Sequence, residues 1–189
     1  NFPEYFLYLD GPGAKPGDPT NEAKFLLSAR KRKKSKSSNY VISLDEEDMA
    51  RQSGNFFAKL RSNFVGTEFT IFDKGSKPGE KPDGKSAGLE PRQDLGAVTY
   101  EYNVLGTRGP RKMKGYIPAV EGDTSQRTKF VATTRDGAHG ILDSFKHGRR
   151  GDMCVLVNKS PRWNEQMQAY CLNFNGRVTH ASVKNFQLV

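Results

Sequence analysis

Lys59-Leu60-Arg61 is the tripeptide whose residue types and spacing best suit chemistry. On a β-strand, residues two apart share a face, and their Cα atoms stand about 6.6 Å apart, twice the rise per residue. Phosphates on neighbouring carbons of an inositol ring are separated by a similar order of distance. A lysine would meet one phosphate as a point charge, and an arginine would fork two N–H groups onto another. Leu60 would point the other way and anchor the strand. By residue type alone, such a pattern is more often a polar strand face, the commoner use of such residues.

A second cationic feature is Arg30–Lys36 (RKRKKSK), which contains Arg30, Lys31, Arg32, Lys33, Lys34 and Lys36. It reads as a solvated turn between strands, as a nuclear-localisation patch, or as a face pressed against anionic lipid. The whole chain shares its sign: 30 Lys+Arg against 21 Asp+Glu give a formal net charge of +9. Such an excess favours a polyanionic partner, whether nucleic acid, an anionic membrane surface or a phosphorylated ligand.

Other chemistry finds little support. His139, His147 and His180 have no i, i+4 pairing and no cysteine or acidic cluster beside them, so no metal site is expected. No GxSxG context marks a nucleophile, and the glycines of Leu105–Pro110 (LGTRGP) lack the lysine and helix of a phosphate loop. The expectation is a protein that is not an enzyme and has no cofactor. Cys154 and Cys171 lie among alternating apolar residues and read as free, buried thiols rather than a disulfide.

The elements that must position these residues follow a period of two. Glu4–Asp10, Lys24–Arg30, Asn39–Asp45, Asn55–Asn63, Gly66–Asp73, Leu95–Leu105, Met113–Val120, Ile141–Phe145, Met153–Val157, Gln168–Phe174 and Arg177–Val189 are short apolar or alternating segments, many of them flanked by turn residues. Asn175-Gly176 supplies two residues that tolerate positive φ, which predicts a hairpin pairing Tyr170–Phe174 with Arg177–Ser182. Asp45–Arg51 (DEEDMAR), acidic first and basic last, predicts a short helix. Gly11–Asn21 and Lys74–Gly88, rich in Gly, Pro and Lys, read as loops, the second as a poorly ordered surface insertion. Many short strands and scant helix imply an all-β sandwich or barrel in a single domain over residues 1–189. No apolar run approaches the roughly 20 residues of a membrane-spanning helix.

Several segments resemble the tubby family, in the family's order: RKRKKSKSSNY, Lys59–Asn63 with Gly66–Asp73, Tyr100–Met113, Asn158–Asn164 (NKSPRWN) and Leu172–Leu188. The resemblance implies an antiparallel tubby-type β-barrel that binds phosphatidylinositol bisphosphates, notably the 4,5-isomer. It carries the family's phosphate-binding Lys-x-Arg onto Lys59 and Arg61, a further arginine onto Arg92, and a polar contact onto Asn39. Arg30, Lys31, Arg32, Lys33, Lys34 and Lys36 become an auxiliary basic surface. Against the family pattern, the chain is expected to lack the first strand, the C-terminal strands and the central hydrophobic helix that fills the barrel.

The resemblance thus implies a membrane-tethering adaptor, cytoplasmic and peripheral at the inner face of the plasma membrane, with bisphosphate headgroups, the anionic inner leaflet and protein cargo as partners. The alternative is a nucleic-acid-binding transcription regulator, also nuclear. Net charge permits it, yet no helix suits a major groove and no aromatic ladder suits base stacking.

Overall fold

The structure is a computed structural model that describes residues 3–12, 22–33, 35–79, 88–101, 112–176, 178, 180, 182 and 184–189. Eight strands form one antiparallel sheet in which neighbours in sequence are neighbours in space. They are β1 (Glu4–Leu9), β2 (Lys24–Lys31), β3 (Asn39–Ser43), β4 (Phe56–Ser62), β5 (Glu68–Phe72), β6 (Asp94–Tyr100), β7 (Met113–Pro118) and β8 (Met153–Val157). A separate two-stranded ribbon joins β9 (Arg162–Asn164) to β10 (Ala169–Cys171). The large sheet is open, with β1 and β8 at its edges.

Residues opposite one another in an antiparallel pair share a face, so the register sorts the sheet into two sides. On one side Val41, Lys59 and Phe72 lie in a row, with Asn39, Arg61 and Thr70 beside them. The same side continues through Thr70, Ala97, Tyr116 and Val155. There the core forms from Ala97, Tyr116, Phe130, Ile141 and Met153, with Leu142, Phe145 and Val155 packed against it. The opposite side carries Tyr40, Leu60 and Ile71 in one row, so Leu60 does turn away from the two cations. Tyr40, Leu60 and Ile71 are half-buried, and rings pair on this side: Tyr5 with Tyr40 at 6.0 Å and Phe69 with Tyr100 at 5.7 Å.

Four expectations are corrected. Ile141–Phe145 is not a strand but the start of helix α1 (Ile141–Lys146), which covers the core side. Asp94 makes that possible: its buried Oδ2 accepts the Ile141 N–H at 2.9 Å, doing the work of a helix cap from another element. Conversely, Asp45–Arg51 is a loop rather than a helix. Asp45 Oδ1 accepts the N–H groups of Glu47 and Asp48, both at 2.9 Å, and Asp48 Oδ1 accepts that of Ala50 at 3.1 Å. Side-chain carboxylates thus take the donors in local turns instead of leaving them to a helix.

Asn175 and Gly176 do adopt positive φ, at 53° and 75°. The strand before them pairs backwards, however, Tyr170 lying opposite Trp163, while residues 172–174 carry no strand. Within the expected partner segment, residues 177, 179 and 181 lie outside the described residues. Cys154 and Cys171 are free thiols as expected, but Cys154, on the edge strand β8, is exposed rather than buried. Residues 13–21 and 80–87 of the two expected loops, and 102–111 of the Tyr100–Met113 motif, also lie outside the description. Among the described residues, no helix is long and apolar enough to cross a membrane.

Candidate functional site

Lys59 and Arg61 stand on one face of β4, flanked by β3 and β5. Lys59 sits between Val41 and Phe72, and only 6% of it is exposed. Arg61 sits between Asn39 and Thr70; its Nε is buried with no hydrogen-bond partner, and Asn39 itself is buried. Lys59 is therefore not the solvated side chain of an ordinary polar strand face, because two neighbouring strands wall it in.

Arg92 reaches the same face from the segment before β6. Its guanidinium lies over the ring of Phe72, 4.0 Å from the centroid, and Phe72 is the cross-strand neighbour of Lys59. Backbone constraints hold it there. Arg92 N–H donates to Ser76 O at 3.0 Å, Ser76 N–H donates to Glu90 O at 2.9 Å, and Asp73 Oδ1 accepts from both Gly75 and Gln93. Gly75 runs so close that a Cβ there would stand 2.5 Å from the Arg92 Cα. Arg92 is 7% exposed, so it too is more enclosed than a surface cation.

The electrostatics follow from this enclosure. Burial, and then the charges of Arg92, Arg51, Arg61 and Lys77, lower the Lys59 pKa from 10.5 to about 8. Among the described residues, the charges that act on Lys59 are those of cations. Arg61 is lowered as well, first by burial and then by Arg51 and Arg32. Asp94 moves the opposite way: burial raises its pKa, although the Ile141 N–H and the charge of Arg92 oppose the rise.

Two cavities open beside these groups. One, of about 330 Å³, is lined by Arg61, Arg92, Arg135 and Lys146 but also by Glu68, Asp94, Asp136 and Asp143, so its charges largely balance. The other, of about 520 Å³, is lined by Arg30, Lys31, Arg32, Lys33, Asn39 and Arg51 with no carboxylate among its lining residues. Lys59 lines neither and lies between their cations. A larger cavity of about 840 Å³ lies elsewhere, around Tyr170, Phe174 and Phe186, and holds no cluster of cations.

The structure therefore gathers Lys59, Arg61, Arg92 and Asn39 on one side of the sheet, with Arg30, Lys31, Arg32 and Lys33 at the neighbouring turn. Lys36 is exposed on that turn, and Lys34 lies outside the described residues. Arg51 and Lys77 are additions that sequence reasoning missed. Arg51 ends the acidic DEEDMAR stretch and sits eight residues before Lys59, so only the folding of that loop over the sheet brings it near. Among the described residues, no group of three or more His, Cys, Asp and Glu could hold a metal ion. Desolvated cations in such an arrangement favour an anion with several oxygens.

Residues 1–189 match the family model described as the Tub family. The chain is 46% identical over its whole length to mouse (Mus musculus) Tubby-related protein 2, of which it covers 32%. It is 45% identical to Protein king tubby 2 of Aedes aegypti and 43% identical to human (Homo sapiens) Tubby-related protein 3, covering 42% and 40% of them. The chain thus spans well under half the length of these relatives.

Proposed function

Because this chain belongs to the Tub family, we propose that it is a non-catalytic module that grips phosphatidylinositol bisphosphate headgroups, the 4,5-isomer foremost, at the cytoplasmic face of the plasma membrane. The observation that carries this reading is Lys59, buried and pressed by the charges of Arg92, Arg51, Arg61 and Lys77. Like charges crowded in a desolvated place are costly in the free protein, and a bound phosphate relieves that cost. Arg61 and Arg92 on the same face, with Asn39, supply the directional donors for a second phosphate. The turn around Arg30–Lys33 and Lys36 adds diffuse attraction to the anionic inner leaflet, about 1 kcal/mol per base near the surface.

In this reading the open sheet is the larger part of a tubby-type barrel whose half-buried apolar side faces inward. The module acts as an adaptor that tethers protein cargo to the membrane.

The test is binding to phosphatidylcholine vesicles with and without the bisphosphate. Lys59→Ala with Arg61→Ala abolishes binding to the bisphosphate vesicles, and soluble inositol phosphates displace the parent chain. A double variant that bound as well as the parent would refute the site. Displacement by a DNA duplex of equal charge, as readily as by inositol phosphate, would favour the nucleic-acid alternative.

A further inference from the structure

The turn between β4 and β5 begins two residues beyond Arg61, and its outermost side chains are apolar. Phe64 is 91% exposed and Val65 56%. Single exposed apolar residues are ordinary, but here two adjacent ones stand at the apex of a turn that is firmly held. Asn63 Oδ1 accepts the N–H groups of Thr67 at 2.9 Å and Glu68 at 3.2 Å, and Asn63 Nδ2 donates to Thr67 Oγ1 at 2.9 Å. Asn63 N–H donates to Glu68 O at 2.9 Å, and Gly66 takes the positive φ of 72° that closes the turn. The loop is thus built to hold Phe64 and Val65 outward, without using either in the core.

Its neighbours say what it meets. Asn39 pairs with Arg61, Ser62 N–H donates to Ser38 O at 2.9 Å, and Ser38 N–H donates to Ser62 Oγ at 3.1 Å. The apolar turn and the basic β2–β3 turn therefore lie side by side at one end of the sheet. Arg32, Lys33 and Lys36 are exposed there. Two nearby acids are already engaged, Glu68 with Lys146 at 3.0 Å and Glu101 with Lys112 at 3.7 Å. Exposed cations around a projecting apolar tip complement an anionic bilayer, in which phosphates overlie hydrocarbon.

We propose that Phe64 and Val65 form a wedge that enters the headgroup–acyl boundary of an anionic membrane while Lys59 and Arg61 hold the headgroup beside it. This rests on the lipid-binding reading above. The dimensions suit it: three residues of extended chain separate Phe64 from Arg61, about 10 Å at most, and interfacial segments bury their apolar groups about 5–10 Å into that boundary.

The experiment uses the purified chain, whose single tryptophan is Trp163. Phe64→Trp is placed in a Trp163→Phe background and mixed with vesicles containing phosphatidylinositol 4,5-bisphosphate and lipids brominated along the acyl chain. Blue-shifted emission quenched by bromine is expected. Phe64→Ser with Val65→Ser keeps the parent melting temperature and lowers vesicle affinity on the order of tenfold, the scale of one partly buried apolar pair. Its affinity for a soluble inositol phosphate stays unchanged. Vesicle binding with unshifted, unquenched emission, or a double serine variant that binds vesicles as the parent does, overturns the wedge and leaves the headgroup site standing. A chain that binds no bisphosphate vesicle at all overturns both.

Discussion

At the scale of the residue, Lys59 decides most. Its ammonium is disfavoured in the folded state, so its folded pKa of about 8 lies below the usual 10.5. Between those values the unfolded chain binds more protons, and stability contributed through this group rises with pH across that window. Lys59→Met keeps the stem and removes the charge. We expect it to raise stability at pH 7 by about 1–3 kcal/mol, as replacement of buried charge by apolar side chains often does, and to flatten that rise in urea titrations between pH 8 and 10. Ligand affinity should move the other way with pH. A bound phosphate favours the charged lysine, so binding takes up a proton near pH 8 and weakens as pH climbs above it. Isothermal titration in buffers of different ionisation enthalpy measures that uptake, which Lys59→Arg should abolish because arginine stays charged.

At the scale of the element, the proposed site depends on segments outside it. Arg92 is aimed by the close passage of Gly75, where an added methyl would meet the Arg92 Cα at 2.5 Å and its N at 2.6 Å. Backbone on both sides cannot yield cheaply. Gly75→Ala should therefore cost about 1–3 kcal/mol of stability and weaken bisphosphate binding, although residue 75 adds or removes no charge. Asp94 plays a similar part for α1. Asp94→Ala leaves the Ile141 N–H without its acceptor, and a loss of about 1–3 kcal/mol is expected in the urea midpoint. Asp94→Asn, which retains an acceptor oxygen, should lose less.

At the scale of the molecule, the net charge of +9 is spread widely, whereas the proposed headgroup site is local. Added salt screens exposed charges over about 8–10 Å at ordinary ionic strength but affects enclosed ones less. Lys33→Ala with Lys36→Ala should therefore weaken binding to every anionic vesicle, about 1 kcal/mol per base, and make it less salt-sensitive. The preference for bisphosphate over phosphatidylserine should survive. Vesicle binding measured across a salt series separates the two contributions.

Apolar or alternating runs and their flanking turn residues placed β1 to β5, β7 and β8 close to their observed bounds, and β6 at its start, because a strand in a meander makes its pattern from its own residues and pairs with the next segment along. Residue type and spacing likewise put Lys59 and Arg61 on one strand face. Helix α1 was not legible, since six residues beginning Ile-Leu-Asp alternate as well as they coil, and the carboxylate that caps them belongs to Asp94, 47 positions away. Nor was the enclosure of Lys59. Polarity alone argued for solvent, but Val41 and Phe72 on the flanking strands wall the lysine in, and Arg51 and Arg92 approach from separate loops. The sequence by itself determined the eight strands of the large sheet and the charges they carry. Only the tertiary structure decided which charges are crowded together and removed from water, because desolvation and like-charge proximity are properties of groups distant in sequence.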